Sequence, residues 1–276
     1  MFNRLSSAMF CALACSAWGS NFSMDPWILI FEPQKKILTQ VVTFTYQGGP
    51  RKDPSAQSGP LPSAMDNAPV PVEITIPGRE VTLDGKLSYP ASQAGNDFVV
   101  YPSQLILYPG DSKKVQVQWV GETLPDKEIS LGFIATQLPL KLNDKLDQPK
   151  RPVGVMLMQA RYEGVIVVRP ANVKPRVVVD TAYYRNDSTG TNLVTVLENK
   201  GTGLQPLRNM ELAIAPLDKA GKPALSQRTT VKVKSDSPAI TQSLFAGFKR
   251  MVVAPWPPGF PVGPVNVTPI FPESPK

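Results

Sequence analysis

Apolar and polar residues alternate along much of this 276-residue chain. Every second side chain is apolar in residues 42–46, 70–76 and 115–119. Successive side chains of a β-strand point to opposite faces, so each of these stretches predicts a strand with one buried and one exposed face. Turn residues such as Pro77-Gly78 and Pro109-Gly110 lie between them, and helical periodicity is nearly absent. Short strands with frequent turns predict an all-β fold of antiparallel sandwiches.

The alternation continues in the second half of the chain, after a break at Arg169-Pro170-Ala171. We therefore predict two β-sandwich domains, residues 20–170 and 171–276, joined by a short hinge, which suits the chain length. Thirty prolines favour edge strands and turns over helices. The proline-rich end of the chain predicts one last strand at residues 262–270, and its prolines restrict that strand to a sheet edge.

Residues 1–19 predict a cleaved signal peptide. Arg4 supplies the positive charge, residues 8–17 the short apolar stretch, and Ala17-Trp18-Gly19 the small residues of a cleavage site. This stretch is far shorter than the roughly 20 apolar residues that cross a bilayer. We therefore expect export without stable membrane insertion.

Both cysteines of the chain, Cys11 and Cys15, lie in this leader. The mature chain would then have no thiol, disulfide or cysteine metal ligand. Leu13-Ala14-Cys15 loosely resembles a lipoprotein cleavage site, although Ala12 stands where a leucine is expected. Lipidation of Cys15 is the alternative to simple cleavage.

The residue types argue against catalysis and nucleic-acid binding. The chain has no histidine, and the mature form would lack cysteine, which removes the commonest general base, nucleophile and metal ligands. A carboxylate pair assembled in space stays the alternative, although Asp144 and Asp147 lie in a predicted loop. The formal charge of +7 comes mainly from residues after Ala171, without a nucleic-acid motif. We expect no enzyme activity, no metal, no cofactor and no nucleic-acid partner.

A series of short motifs runs between Val99 and Pro170. Their order is Val100-Tyr101-Pro102, residues 105–107 with Pro109-Gly110, the alternating residues 114–119, Leu124-Pro125-Asp126-Lys127-Glu128, Leu138-Pro139, and residues 165–168 with Arg169-Pro170. In this order and spacing they resemble the periplasmic pilus (fimbrial) chaperones, the PapD-like family. The chain resembles a divergent member, because Asp-Lys-Glu replaces the usual Asp-Arg-Glu and leucine replaces isoleucine before Pro139.

The resemblance implies two immunoglobulin-like sandwiches and a chaperone of the periplasm. Such a protein stabilises pilus subunits by donor-strand complementation and delivers them to an outer-membrane usher. The donor would be the long apolar run 153–168, with Met156, Met158 and Ala160 at the donor positions. Read without the family, a long apolar strand with an exposed edge needs a partner to avoid aggregation, unless it is a central core strand.

The resemblance also implies two charged features. Glu128 and Arg169 match an inter-domain charge pair. The family's Arg and Lys, which bind the subunit's terminal carboxylate, fall on Ile28 and Val165, and neither can bind an anion. A shifted alignment would recruit Lys35, Lys36 or Arg161 instead. The alternative function is a secreted all-β pilus-associated subunit or adhesin.

Overall fold

The computed structural model describes residues 22–46, 69–139, 159–188, 190–233 and 243–272. Within these ranges the regular elements are β-strands and three short 3-10 helices, Pro33–Lys35, Gln93–Asp97 and Leu225–Gln227. The predicted all-β fold is confirmed, and the strands form two immunoglobulin-like sandwiches. The predicted signal peptide lies outside the described residues.

Eleven strands belong to the first domain. They are β1 (Phe22–Asp25), β2 (Ile28–Phe31), β3 (Thr39–Tyr46), β4 (Val70–Thr75), β5 (Glu80–Val81), β6 (Leu87–Ser88), β7 (Phe98–Tyr101), β8 (Gln104–Leu107), β9 (Ser112–Trp119), β10 (Ile129–Gln137) and β11 (Arg161–Val168). One sheet has the order β1-β3-β9-β7, the facing sheet has the order β2-β11-β10-β4-β8, and β5 and β6 form a separate hairpin.

The core of the first domain follows the sequence alternation. In β3, Val42, Phe44 and Tyr46 are fully buried, while the threonines between them are half-buried. They pack against apolar residues of the facing sheet, such as Phe133 and Ile166. Removal of this apolar surface from water stabilises the sandwich by roughly 25 cal/mol for each Å² buried.

Six strands belong to the second domain, and residues 169–176 connect the two. They are β12 (Val177–Asp187), β13 (Gly190–Asn199), β14 (Glu211–Pro216), β15 (Thr229–Lys232), β16 (Lys249–Pro255) and β17 (Val265–Ile270). Sheets of order β12-β13-β16 and β15-β14-β17 enclose a second core that includes Leu197, Leu212 and Trp256. β17 is an edge strand, as its proline content predicts.

The structure describes residues 159–168 of the long strand predicted at 153–168, and within them the strand is shorter than predicted. β11 begins at Arg161, and Gln159 and Ala160 precede it without strand geometry. Before Arg161, one further main-chain hydrogen bond continues the ladder with β10, from the Gln137 N–H to the Ala160 carbonyl at 2.8 Å. The preceding part of the run, with Met156 and Met158, lies outside the described residues.

Candidate site at the β2–β11 edge and the domain interface

The chain crosses from one sheet of the first domain to the other between β1 and β2. β1 pairs with β3 in one sheet, and β2 then pairs in parallel with β11 in the other. The Val165 N–H donates to the Trp27 carbonyl at 2.8 Å, and the Arg169 N–H donates to the Phe31 carbonyl at 2.8 Å. β2 therefore covers only the C-terminal half of β11.

The N-terminal half of β11 has an open edge. The bond between Gln137 and Ala160 shows that even-numbered residues of β11 bond to β10, so the main-chain groups of Arg161 and Glu163 point the other way. Among the residues that the structure describes, no strand pairs with these two on that side. An added strand would find two outward N–H and two outward C=O groups here.

The two faces of this half-strand differ. Ala160 and Tyr162 pack against the core of their own domain, and the Tyr162 hydroxyl donates to the Phe22 carbonyl. On the other face, Arg161 and Glu163 form an ion pair with Nε and Oε1 3.2 Å apart. Ala160, one of the three donor positions that the family resemblance implies, thus contacts the first domain's core.

Ile28 and Val165 are register partners across the parallel β2–β11 pair. The structure thus brings together the two positions onto which the family's charged anchor falls. Their surroundings are apolar and accessible, since Trp27 is 58% exposed and Ile28 42% exposed. This end of the open edge can offer apolar contact to a partner, and its side chains cannot bind a carboxylate.

The charged alternatives from a shifted alignment lie elsewhere or are paired. Lys35 bonds Glu32 at 2.9 Å in the turn after β2. Lys36 follows in a left-handed conformation at φ 60°. Arg161 pairs with Glu163, and its guanidinium also lies 5.4 Å from the centre of the Tyr89 ring. None of the three stands beside Ile28 in the β2–β11 register.

Glu128 and Arg169 meet at the boundary between the domains. The Glu128 side chain is buried at 1% exposure and accepts hydrogen bonds from Arg169 Nε and from the Leu204 amide of the second domain. The Glu128 N–H also donates to the Thr202 carbonyl at 2.8 Å. The third partner of this pair is therefore a backbone amide of the second domain.

Residues 77–97 form an arm that contains the β5–β6 hairpin and that no motif in the sequence predicts. The arm begins in the sheet, because the Pro77 carbonyl accepts the Gly132 N–H at 3.0 Å and so continues the β4–β10 ladder. Tyr89 of the arm then lies against the face of the sheet at Gly132. The tip of the arm reaches the second domain, because the Leu83 carbonyl accepts the Met251 N–H at 2.8 Å. The sequence signals within the arm are two turns, Pro77-Gly78 and Asp84-Gly85, and Gly85 has a φ of 90°.

Two buried arginines, Arg79 of the arm and Arg250 of β16, flank this contact. Burial, and after it the charge of Arg79, lowers the pKa of Arg250 to about 10. Burial also lowers the pKa of Arg79, opposed by its interaction with Tyr89. The pKa of Tyr89 is raised, first by its own burial and then by Glu163.

Within the described ranges, no group of three or more metal-ligating side chains comes together. The same ranges contain no helix that is long and apolar enough to cross a membrane.

No family model matches the sequence, and no curated protein matches it. The fold does match solved structures. A chain of the chaperone–tip adhesin complex of CFA/I fimbriae biogenesis superposes with a TM-score of 0.52 over 92% of this chain and 100% of that chain, at 10% identity. The chain has the fold of a two-domain fimbrial chaperone. At the level of fold, the resemblance to PapD-like proteins is confirmed.

Two further solved structures align at lower similarity. The class 5 fimbriae chaperone CfaA has a TM-score of 0.49 at 11% identity, over 93% of this chain and 95% of that one. A chain of the CsuC–CsuE chaperone–tip subunit pre-assembly complex of Acinetobacter baumannii has a TM-score of 0.44 at 14% identity, over 84% and 86%.

Proposed function

We propose that this protein is a periplasmic chaperone that binds pilus (fimbrial) subunits by donor-strand complementation and delivers them to an outer-membrane usher. The fold supports this proposal, and the open edge of β11 carries it. An edge with outward N–H and C=O groups recruits an extended segment through main-chain hydrogen bonds, while side-chain pockets add selectivity.

The position of the open edge suits a donated strand. Arg161 and Glu163 present their main-chain groups immediately before β2 begins to cover β11. The apolar run 153–160 precedes them along the chain. In this proposal Met156 and Met158 supply the side chains that enter the subunit, because Ala160 packs against the core of its own domain. Methionine adapts to pockets of different shape.

The contacts where β2 begins to cover β11 support an apolar mode of binding. Trp27 and Ile28 are exposed beside Val165, where a charged anchor would be needed to bind a terminal carboxylate. We therefore infer that the subunit segment nearest this end makes apolar contacts and main-chain bonds. The buried Glu128, bonded to Arg169 and Leu204, would fix the second domain relative to the end of β11.

The proposed location rests on the leader. Residues 1–19 would direct export and be removed, leaving a mature chain in the periplasm. That compartment lies between the site of synthesis and the outer-membrane usher.

Co-expression with fimbrial subunits from the genome that encodes this chain tests the proposal. A tagged chain should co-purify from the periplasm in a one-to-one complex with a subunit and be absent from assembled fibres. Met158→Asp should abolish this capture, because a charge would enter an apolar pocket without a partner. The matched control is Leu225→Asp, at a residue 69% exposed in the second domain.

Two outcomes would overturn the proposal. If Met158→Asp and Leu225→Asp captured the subunit equally well, the donor-strand assignment would be wrong. If the chain were recovered as a component of the fibres, it would be a structural subunit or adhesin.

A further inference from the structure

The outer edge of β7, the last strand of the first sheet, is open. The Val120 N–H donates to the Asp97 carbonyl at 2.7 Å, in the register of the antiparallel β7–β9 pair. Odd-numbered residues here therefore bond to β9, and the main-chain groups of Phe98 and Val100 point away from it. Within the described ranges, no strand pairs with β7 on that side and no hydrogen bond reaches these groups. The edge offers two N–H and two C=O groups.

Three other edge strands are protected against pairing. In β2, the outward carbonyl of Ile30 accepts the Gln40 side-chain amide at 2.8 Å. In β8, the outward carbonyl of Ile106 accepts the Lys113 ammonium. In β17, Pro269 occupies an outward position and has no N–H to offer. Capping side chains and edge prolines are means by which proteins prevent strand addition. In the described part of the chain, β7 carries no such protection.

The side chains and charge around β7 suit a second copy of this chain. Val99 is 50% exposed and Tyr101 is 76% exposed, both on the outer face of the sheet. The chain has a formal charge of +7, yet it contains no lysine or arginine between Lys86 and Lys113. Two copies can therefore meet at this edge without bringing like positive charges together. An antiparallel edge is also complementary to itself, which a two-fold axis requires.

We propose that β7 pairs antiparallel with β7 of a second copy, with the two-fold axis at Val99. In this register the outward groups of Phe98 in one copy bond those of Val100 in the other, and the reverse, so all four groups on each edge are satisfied. Tyr101 then lies opposite Asp97 of the second copy, where its phenol can donate to the carboxylate. The contact is isologous, so association stops at a dimer.

The dimer leaves the open edge of β11 free. β7 and β1 lie at opposite ends of the first sheet, and β1 continues into β2, which borders β11. The two edges are therefore on opposite sides of the first domain. This inference does not depend on the proposed function, because it concerns copies of this chain alone.

Sedimentation velocity of the mature chain tests the dimer without any subunit. A four-residue edge forms a small interface, so we expect a monomer–dimer equilibrium that shifts with concentration from micromolar to submillimolar protein. Val99→Lys should raise the dimer dissociation constant by about tenfold or more, because it sets two like charges directly opposite each other. Val41→Lys is the matched control, at a valine 46% exposed on the same face of β3, and should dimerise like the wild type.

Two results of this measurement would overturn the proposal. One is a monomer at every concentration. The other is equal loss of the dimer in Val99→Lys and Val41→Lys, which would mean that the copies pack face to face instead of pairing at the edge.

Disulfide trapping covers the case in which Val99→Lys does not fold. Opposite residues of a non-hydrogen-bonded antiparallel pair have Cα atoms about 4.5 Å apart, within reach of a disulfide. Both native cysteines precede residue 20, so a chain that begins there carries no other thiol. With copper phenanthroline as oxidant, Val99→Cys should form a covalent dimer and Val41→Cys should stay monomeric. No covalent dimer of Val99→Cys, or equal yields from both variants, would contradict the edge pairing.

A cross-test separates this proposal from the proposed function. Met158→Asp should dimerise like the wild type, and Val99→Lys should capture fimbrial subunits like the wild type. Loss of the dimer in Met158→Asp would place the contact at the donor strand and overturn the assignment to β7.

Discussion

The Glu128 carboxylate accepts a hydrogen bond from the Arg169 guanidinium at the point where the first domain passes into the second. Arg169 is the first residue after β11, and Glu128 is the last before β10. The same carboxylate accepts the Leu204 amide of the second domain. One buried acid thus joins the end of β11, the start of β10 and a loop of the other domain.

Glu128→Gln should destabilise the protein by about 1–3 kcal/mol, because the amide loses the charge-assisted bond and directs an NH₂ group at a donor. Urea unfolding measures the free energy. Glu122→Gln, in an exposed loop, is the control and should leave the midpoint unchanged. Equal midpoints for the two variants would show that the buried pair contributes nothing.

Glu163→Pro should reduce subunit capture while the isolated protein keeps nearly its original melting temperature. The Glu163 N–H points to the open edge and takes no part in the β10 ladder, and proline is tolerated at such edge positions. Glu163→Gln keeps the N–H and should capture subunits normally. Pull-down of co-expressed subunit gives the readout. Full capture by Glu163→Pro would mean that this edge is not where the partner strand adds.

Gly164→Ala should destabilise the first domain by about 1–3 kcal/mol. A Cβ at this position would lie 2.6 Å from the Trp27 carbonyl oxygen, so β2 would have to move away from β11. Gly263→Ala is the control, because a Cβ there meets no atom within 4 Å. Thermal unfolding followed by near-UV circular dichroism would show the difference. Indistinguishable curves would refute the close approach of β2 to β11.

Asn199→Leu should lower the free energy of unfolding by about 2–4 kcal/mol. The fully buried Asn199 amide donates to the carbonyls of Gly203 and Leu244 at 2.8 and 2.9 Å. Its oxygen accepts the N–H groups of Gly201 and Arg176 at 3.0 and 3.1 Å. Leucine has a similar volume and leaves all four backbone groups without this partner. Denaturant unfolding gives the free energy, and Asn266→Leu at an exposed position of β17 is the control. If both variants lost only a little free energy of unfolding, the buried Asn199 amide would not stabilise the domain as described.

Asp84→Asn should change how the free energy of unfolding falls as the pH is lowered into the acid range. The Thr82 hydroxyl first, and Lys86 second, lower the pKa of Asp84 to about 2. A lowered pKa means that the ionised carboxylate contributes fully above about pH 4 and that this contribution disappears as the pH falls through about 2. The variant should therefore lose less stability than the wild type between these pH values. Asp126→Asn, at another exposed acid, should follow the wild-type profile. If the free energy of unfolding fell identically at acid pH in all three proteins, Asp84 would have no such effect.

The sequence alone determined the strands and the class of fold. Alternation with period two is a local property, because each side chain in a strand takes its face from the backbone beside it. The burial of Val42, Phe44 and Tyr46 follows from it directly. The family resemblance pointed to Ile28 and Val165, which the parallel register then places opposite each other.

The tertiary structure decided what lies around these strands. The third partner of Glu128 is the Leu204 amide, 76 residues away, and a backbone amide leaves no mark in a side-chain pattern. The contact between the Leu83 carbonyl and the Met251 N–H arises because the arm crosses the domain boundary and reaches β16. The open edge of β11 exists because β2 begins only at Ile28, after the first segment has paired in the other sheet. Such relationships depend on which distant segments come into contact, and local periodicity carries no information about that.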